Sequence, residues 1–546
     1  MIAALVLALS PQQKLNAALT AGGDVGGFGW SPDGLRALYI ADQDVDGMHE
    51  LFSVGVEPFA APVRLNDPLE PPAEDQEDYI GGFGPFEPDG ERVLFYRTQV
   101  TSPFSANSFM YSVGNDGTPA PVSLMPGGSI LFAASGRIVY STGGGGFSDL
   151  WSQSLDGAGS PVALTPSIVG SDLISAIAPD GTRVVFAYHN INPASAAAIY
   201  CQLPDGSAPP IVLNATTNSA RGTRALRVSP DGQLVLYVAD DDTDERYELW
   251  RAPLLGGSAP VRLSQPLSGN LDVTADLVLS RDGSRVAFRA DADQDEVYEL
   301  YSVSVAGGPV AKLSGTMVAG GDIPAALGTP RIPQFEFSPD GSRVVYRADQ
   351  DADEVYELYS APADGSAPGV KLHPGLTGSQ DVALLGFRIT PDSARVVFAA
   401  DTQVAGRVEV WSAPTDGSAA PVKLSGPMTS GGSLRLEAPY GARYFLQLAP
   451  GGRHVYYLAD QDMDETFELY RAPVDGSAAV VKGNAALVAG GDVTGFAPGP
   501  IGAGLLYLAD QEADDVFELY LVTFPAQPRP KLPATAPSAT VVRSVP

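Results

Sequence analysis

The sequence predicts an all-β fold: a β-propeller of about ten four-stranded antiparallel blades, in one closed ring or in two smaller ones. Three observations predict it. A unit of about 50 residues recurs, keyed on the tetrapeptide "SPDG". Strand-like apolar runs alternate with Gly- and Pro-rich turns, and no stretch has helical periodicity. The composition fits as well: 44% hydrophobic residues, with 60 Gly and 47 Pro in 546 residues.

Phe335 to His373 is the clearest unit, "FEFSPDGSRVVYRADQDADEVYELYSAPADGSAPGVKLH". "QFEFS" is short and apolar and reads as the first strand. "PDG" turns the chain, because Pro presets φ and Gly accepts positive φ. "SRVVYRA" is rich in β-branched and aromatic residues and forms the second strand. An acidic segment follows, then the third strand "VYELYSAP". The turn "ADGSAP" leads to the fourth, "GVKLH". The "SPDG" equivalents fall at Ser31–Gly34, Glu87–Gly90, Ala134–Gly136, Ala178–Gly181 and Ser229–Gly232. They continue at Ser280–Gly283, Ser338–Gly341, Thr390–Ser393, Ala449–Gly452 and Ala497–Pro500. The third unit is short and lacks the Asp, and the last reads "APGP". A unit this small cannot bury both faces alone, so stacking around an axis is the stable solution. No Pro/Ser-rich linker divides the array. More than eight blades is unusual for one ring, which keeps two rings open.

Residues 1–13 read either as the remnant of a signal segment or as a strand. They carry an apolar stretch without a basic start, and "LVLALSPQQKLN" aligns loosely with the back half of a repeat. The repeats span 14–524. "KLN" near the start is expected to close the ring as the outer strand of the last blade. The Pro-rich tail, 525–546, reads as a loosely ordered end.

The repeat "FSPDGSRVVY…ELYSAPADG" resembles the blades of TolB-type and prolyl-oligopeptidase-type propellers over nearly the whole chain. The resemblance implies fold more than function, because these blades serve many roles. It also implies a periplasmic or extracellular location. Prolyl-oligopeptidase-type enzymes add a hydrolase domain with a GxSxG elbow. This chain has no such elbow and no room for the domain.

Bulk charge excludes some partners. The formal charge is −31, which argues against nucleic acid and anionic lipid and favours cations or basic proteins. One cysteine, Cys201, permits no intramolecular disulfide and no Cys-rich zinc site. No apolar run is long enough for a membrane-spanning helix. The four histidines, His49, His189, His373 and His454, stand at unrelated repeat positions, which disfavours a zinc site or triad. "GGGG" at Gly143–Gly146 falls inside a blade hairpin and is no phosphate loop.

The acidic segment carries the chemistry. Six near-copies begin at Ala41, Ala239, Ala290, Ala348, Ala459 and Ala509. Their alternate acids are Asp42, Asp44 and Asp46; Asp240, Asp242 and Asp244; Asp291, Asp293 and Asp295; Asp349, Asp351 and Asp353; Asp460, Asp462 and Asp464; and Asp510, Glu512 and Asp514. A later acid follows in each, at Glu50, Glu248, Glu299, Glu357, Glu468 and Glu518. These hairpins should share one rim with the inter-blade connections, several of which carry an Asp: Asp24, Asp322, Asp381 and Asp492. Carboxylates at alternate loop positions can wrap a calcium ion, which takes six to eight oxygens. "DQDVDG" has the DxDxDG spacing, but other copies replace its Gly, and there is no EF-hand helix. Two unit charges 4 Å apart repel by roughly 1 kcal/mol in water and several-fold more near a protein surface. A bound calcium ion at each hairpin would remove that cost. The opposing reading is solvated hairpin tips that aid solubility.

Units two, three, four and eight lack the triplet and leave a less acidic sector. Phe104, Phe109, Tyr188, His189 and Tyr200 mark it as a candidate protein-partner surface, or as ordinary blade packing. The expected function is a non-catalytic binding or scaffold propeller with calcium on its hairpins. A metal-free interaction platform, and a lyase or glycosidase using the central funnel, stand as alternatives.

Overall fold

A computed structural model describes residues 12–524 apart from 57–58, 71–76, 87–89, 103–104, 127–128, 135, 143–148, 166–172, 189–197, 215–221, 328–331, 374, 437–445 and 501. Met1, the segment before residue 12, the "GGGG" stretch, Phe104, His189 and the tail after Phe524 lie outside the described residues, as do parts of the second and third "SPDG" equivalents.

Among the described residues, forty strands form ten four-stranded antiparallel sheets, each in simple up-and-down order. Blade 7 shows the pattern: Phe335–Phe337, Arg343–Ala348, Glu357–Pro362 and Val370–Lys371, from the inner strand to the outer. The second strand reads RVVYRA, and all of it after Arg343 is buried. Its residues Val344, Val345 and Tyr346 form a continuous apolar run because each sheet is covered on both faces by its neighbours, and even Arg347 is buried. Tyr346 and Tyr359 stack across the second and third strands at 5.4 Å. The two-residue outer strand is mostly solvent-facing, and a short edge gives little to pair with.

One ring is formed. Among the described residues there are ten apolar clusters, and each joins one blade to the next around the circle. The closing cluster packs Val25, Tyr39 and Phe52 of blade 1 against Leu506, Leu508 and Leu519 of blade 10. Gln13–Lys14 pairs with the third strand of blade 10, Gln13 opposite Leu521 and Lys14 opposite Tyr520. The N-terminal "QKLN" therefore supplies the outer strand of the last blade, and the two-ring alternative is set aside.

The "SPDG" turns lie on the opposite rim. Ser31 Oγ donates to Asp33, Asp33 accepts the Leu35 N–H, and Gly34 takes φ +70°. In blade 10 the turn is shifted. The inner strand runs Val493–Pro498, and the Gly499 N–H donates to the Gly504 carbonyl as Ser31 does to Arg36. The turn therefore begins at Gly499, two residues later than the Ala497–Pro500 alignment expects. Pro498 ends a strand instead of opening a turn.

Candidate acidic rim

The first acid of each hairpin is buried: Asp42, Asp240, Asp291, Asp349, Asp460 and Asp510 are at most 5% exposed. Both oxygens of each accept backbone N–H groups. Asp349 Oδ1 takes the Asp322 N–H at 2.6 Å, and its Oδ2 takes the Glu354 N–H at 3.1 Å. The first bond ties the hairpin to the connection entering its blade; the second closes the hairpin on itself. The same two bonds hold Asp42, Asp240, Asp291, Asp460 and Asp510. The residue donating the second bond sits in the left-handed region, at φ near +60° for Glu245, Glu296, Glu354, Glu465 and Asp515. Blade 1 has Gly47 there. The non-glycine copies thus keep the DxDxDG backbone, and the missing Gly changes cost but not shape.

The acid at the third position of the hairpin and the later Glu share a cation from the outer strand. Lys371 reaches Asp351 at 2.8 Å and Glu357 at 2.7 Å. Lys482 joins Asp462 and Glu468, Arg262 joins Asp242 and Glu248, and Lys14 joins Glu512 and Glu518. Lys312 does so for Asp293 and Glu299. In blade 1, Arg64 pairs with Glu50, and Asp44 is exposed, with no ion pair among the described residues. The Glu is buried, and in four blades the next Tyr but one donates its hydroxyl to it, as Tyr359 does to Glu357. Burial works against the charged Lys371, but its bonds to Asp351 and Glu357 outweigh it and hold the ammonium pKa above the usual value. Burial raises Glu50, with Arg64 and Asn66 opposing. Sequence reasoning left this cation out, although a Lys or Arg follows the Glu by 14 residues in several blades.

The acid at the fifth position lies over the glycine pair of the connection in four blades. A Cβ on Gly320 would come within 2.6 Å of Asp353, and one on Gly490 within 2.6 Å of Asp514. Asp46 and Asp464 sit likewise over Gly22 and Gly431. Asp244 and Asp295 are exposed. Blade 10 differs because its left-handed residue is Asp515 instead of Glu. There, ligand oxygens of Asp510, Asp514 and Asp515 all lie within 4.8 Å of one another. Among the described residues no other such group of three occurs. Asp515 was not among the sequence candidates.

Blade 8 has one hairpin Asp, Asp401, and the same architecture. Asp401 accepts the Asp381 N–H at 2.6 Å and the Gly406 N–H at 2.7 Å, and Lys423 pairs with the buried Glu409. The hairpin therefore folds without acids at the third and fifth positions.

The connection acids are partly buried carboxylates among other acids. Burial raises Asp24, Asp381 and Asp492, and it pushes Asp322 up to about 6, with Arg289 opposing and Asp349, Glu354 and Asp353 adding. Asp24, Asp381 and Asp492 each accept an N–H from the preceding blade, of Phe517, Tyr356 and Phe467 at 2.7 Å. Asp272, absent from the sequence candidates, does the same for Tyr247.

The less acidic sector keeps ordinary blade geometry where described. Phe109 faces Arg97 across the blade 2 hairpin, and Tyr200 stacks on Phe186 at 5.5 Å. Tyr188 lies on a strand, and its side chain is outside the described residues. Blade 2 has the longest pair of strands among the described residues, Arg92–Ser102 with Ser105–Gly114.

These features define the molecule as a ten-bladed β-propeller with an acidic rim. No protein-family model matches the chain, and no curated protein matches it. Solved structures are similar. Putative TolB from Agrobacterium tumefaciens is 16% identical, over 48% of this chain and 83% of that one, with a TM-score of 0.27. TolB from Acinetobacter baumannii is 16% identical, over 60% and 78%, with a TM-score of 0.28. Dipeptidyl peptidase 4 from Porphyromonas gingivalis is 11% identical, over 85% of this chain and 60% of that one, with a TM-score of 0.43. The repeats' TolB-type resemblance thus has counterparts among solved propellers. At these values the likeness says nothing about activity. Among the described residues no helix is long and apolar enough to cross a membrane.

Proposed function

We propose that the protein is a non-catalytic binding ring that takes cations on its acidic rim, calcium among them, and presents that rim to a protein partner outside the cytoplasm. One observation carries this reading. Blade 8 builds the hairpin with Asp401 alone. Acids at the third and fifth positions of the other six hairpins are therefore surplus to the fold; an outer-strand cation already meets the one at the third position in five of them, which leaves the fifth as the charge to offset. An unneeded charge repeated in register costs repulsion, and a bound cation offsets it. The Asp510, Asp514 and Asp515 group of blade 10 is the tightest candidate. All three are hard oxygen donors of the kind calcium takes.

A thermal melt of EDTA-stripped protein, with and without millimolar calcium and with magnesium as control, tests this. A ligand that binds only the native state stabilises it by RT ln(1 + [L]/Kd) per site. A calcium-selective rise in Tm is expected, and Asp514→Asn with Asp515→Asn should reduce it. An unchanged Tm would leave a metal-free platform.

A further inference from the structure

Six blades receive the incoming chain in the same way. The Val25 N–H donates to the Phe517 carbonyl of the preceding blade, Ile80 to His49, Ile323 to Tyr298, Val382 to Tyr356, Leu434 to Val408 and Val493 to Phe467. Two residues further on, at the acidic rim, blades 1, 2, 7 and 10 carry Gly27, Gly82, Ala325 and Gly495. Blades 8 and 9 carry Leu384 and Leu436 instead, and these are 47% and 42% exposed. Blade architecture does not ask for leucine there, because the other four blades are built with a small residue.

The hairpins of the same two blades add to this surface. Met463, at the tip of the blade 9 hairpin, is 64% exposed, more than any other large apolar side chain among the described residues. Val404 holds the same place in blade 8 and is exposed too. Blades 5 and 6 have the polar Thr243 and Gln294 there. Beside Val404, blade 8 also lacks acids: Gln403 and Ala405 stand where blade 7 has Asp351 and Asp353 and blade 9 has Asp462 and Asp464. Exposed apolar residues scattered singly need no explanation, but four on two neighbouring blades of one rim mark a contact surface. Negative charge flanks it. Lys371 and Lys482 take Asp351 and Asp462, while Asp353 and Asp464 are exposed, with no ion pair among the described residues.

We propose that the rim of blades 8 and 9 docks a segment of a partner polypeptide that has an apolar centre with Lys or Arg on each side. The centre covers Leu384, Val404, Leu436 and Met463, and the cations meet Asp353 and Asp464. This names the partner chemistry of the binding ring and rests on that reading. The net charge of −31 steers a basic segment to this face and repels a second copy of the chain.

The test is calorimetric titration of the full-length protein, in EDTA at low salt, with the peptide Ac-Lys-Lys-Leu-Leu-Trp-Leu-Lys-Lys-NH2. One control replaces its apolar centre with Ser, and the other replaces its Lys with Glu. Binding at one site per chain is expected, about tenfold or more weaker for either control. Leu384→Ala with Leu436→Ala restores the small residue of other blades, so it should weaken binding about tenfold without lowering Tm. Met463→Thr, which copies blade 5 at an exposed tip, should weaken binding and cannot act through the core. Val45→Thr, at the exposed tip of blade 1, should leave binding unchanged. Absence of binding at millimolar peptide, equal binding of either control, or equal affinity in the Leu384, Met463 and Val45 variants overturns the proposal. So does a dimer in sedimentation that the Leu384→Ala, Leu436→Ala protein loses, because the occupant is then a second copy. The calcium melt on the same proteins separates the two readings. A calcium rise without peptide binding overturns the docking surface alone; peptide binding without a calcium rise supports the surface and removes calcium from the rim.

Discussion

A single aspartate fixes each acidic hairpin. Asp349 satisfies two backbone N–H groups on two segments, and it is 2% exposed. Its removal orphans both donors. Asp349→Ala should therefore cost roughly 2–4 kcal/mol. Asp351→Ala should cost under about 1 kcal/mol, because Asp351 is half-exposed and shares Lys371 with Glu357. Urea unfolding of the two variants checks the contrast; equal costs would make the acids equivalent. Asp322 gives the pH dependence. Burial lifts its folded pKa to about 6, above its value in the unfolded chain. The folded state thus holds a proton that the unfolded state has lost between about pH 4 and 6. That contribution is full at low pH and is lost as pH rises through about 6. Asp322→Asn should remove this slope in stability measured against pH. Asp282 and Asp475 act oppositely. Their pKa values are lowered, first by hydrogen bonds from Ser280 and Ser477, so their contribution is lost as pH falls.

Blades 6, 7, 9 and 10 are each held by a line that runs from outer-strand cation to Glu to Tyr hydroxyl. In blade 8 the tyrosine is replaced by Trp411. Trp411 Nε1 and Glu409 Oε2 are both buried without a hydrogen-bond partner among the described residues. Trp411→Tyr should supply the missing hydroxyl, as Tyr359 does for Glu357 at 2.5 Å. A bond to a buried charged acceptor outweighs the apolar area lost, so a gain of about 1 kcal/mol is expected. A lower Tm for this variant would show that ring area matters more than the hydroxyl.

The whole molecule depends on its first described residues. Lys14 bridges Glu512 and Glu518, Asn16 accepts the Leu519 N–H at 2.9 Å, and Leu15 is fully buried in the closing cluster. Lys14→Glu leaves Glu518, 9% exposed, facing a like charge. A loss of about 3 kcal/mol is expected. It should appear in urea unfolding together with earlier proteolysis at blade 10, where the ring opens. An unchanged unfolding midpoint would mean that closure rests on the apolar cluster alone.

Much of this architecture was legible in the sequence. Turn residues and β-branched runs are local signals, so "SPDG" and "RVVYRA" marked the strands. The repeat in register placed the acids on one rim, and "KLN" was expected to close the ring, whose closing strand is Gln13–Lys14. Blade 10's turn misled, because Pro498 and Pro500 both read as turn residues. The sequence could also name every acid without separating their roles. Asp349, Asp351 and Asp353 look alike in the chain. One is bolted by amides, one shares a lysine, and one lies over Gly320, because each meets a different distant segment. Local chemistry determined the blade; only the closed ring decided which charges are spent on holding it and which are left facing outward, since those partners come from other strands and other blades.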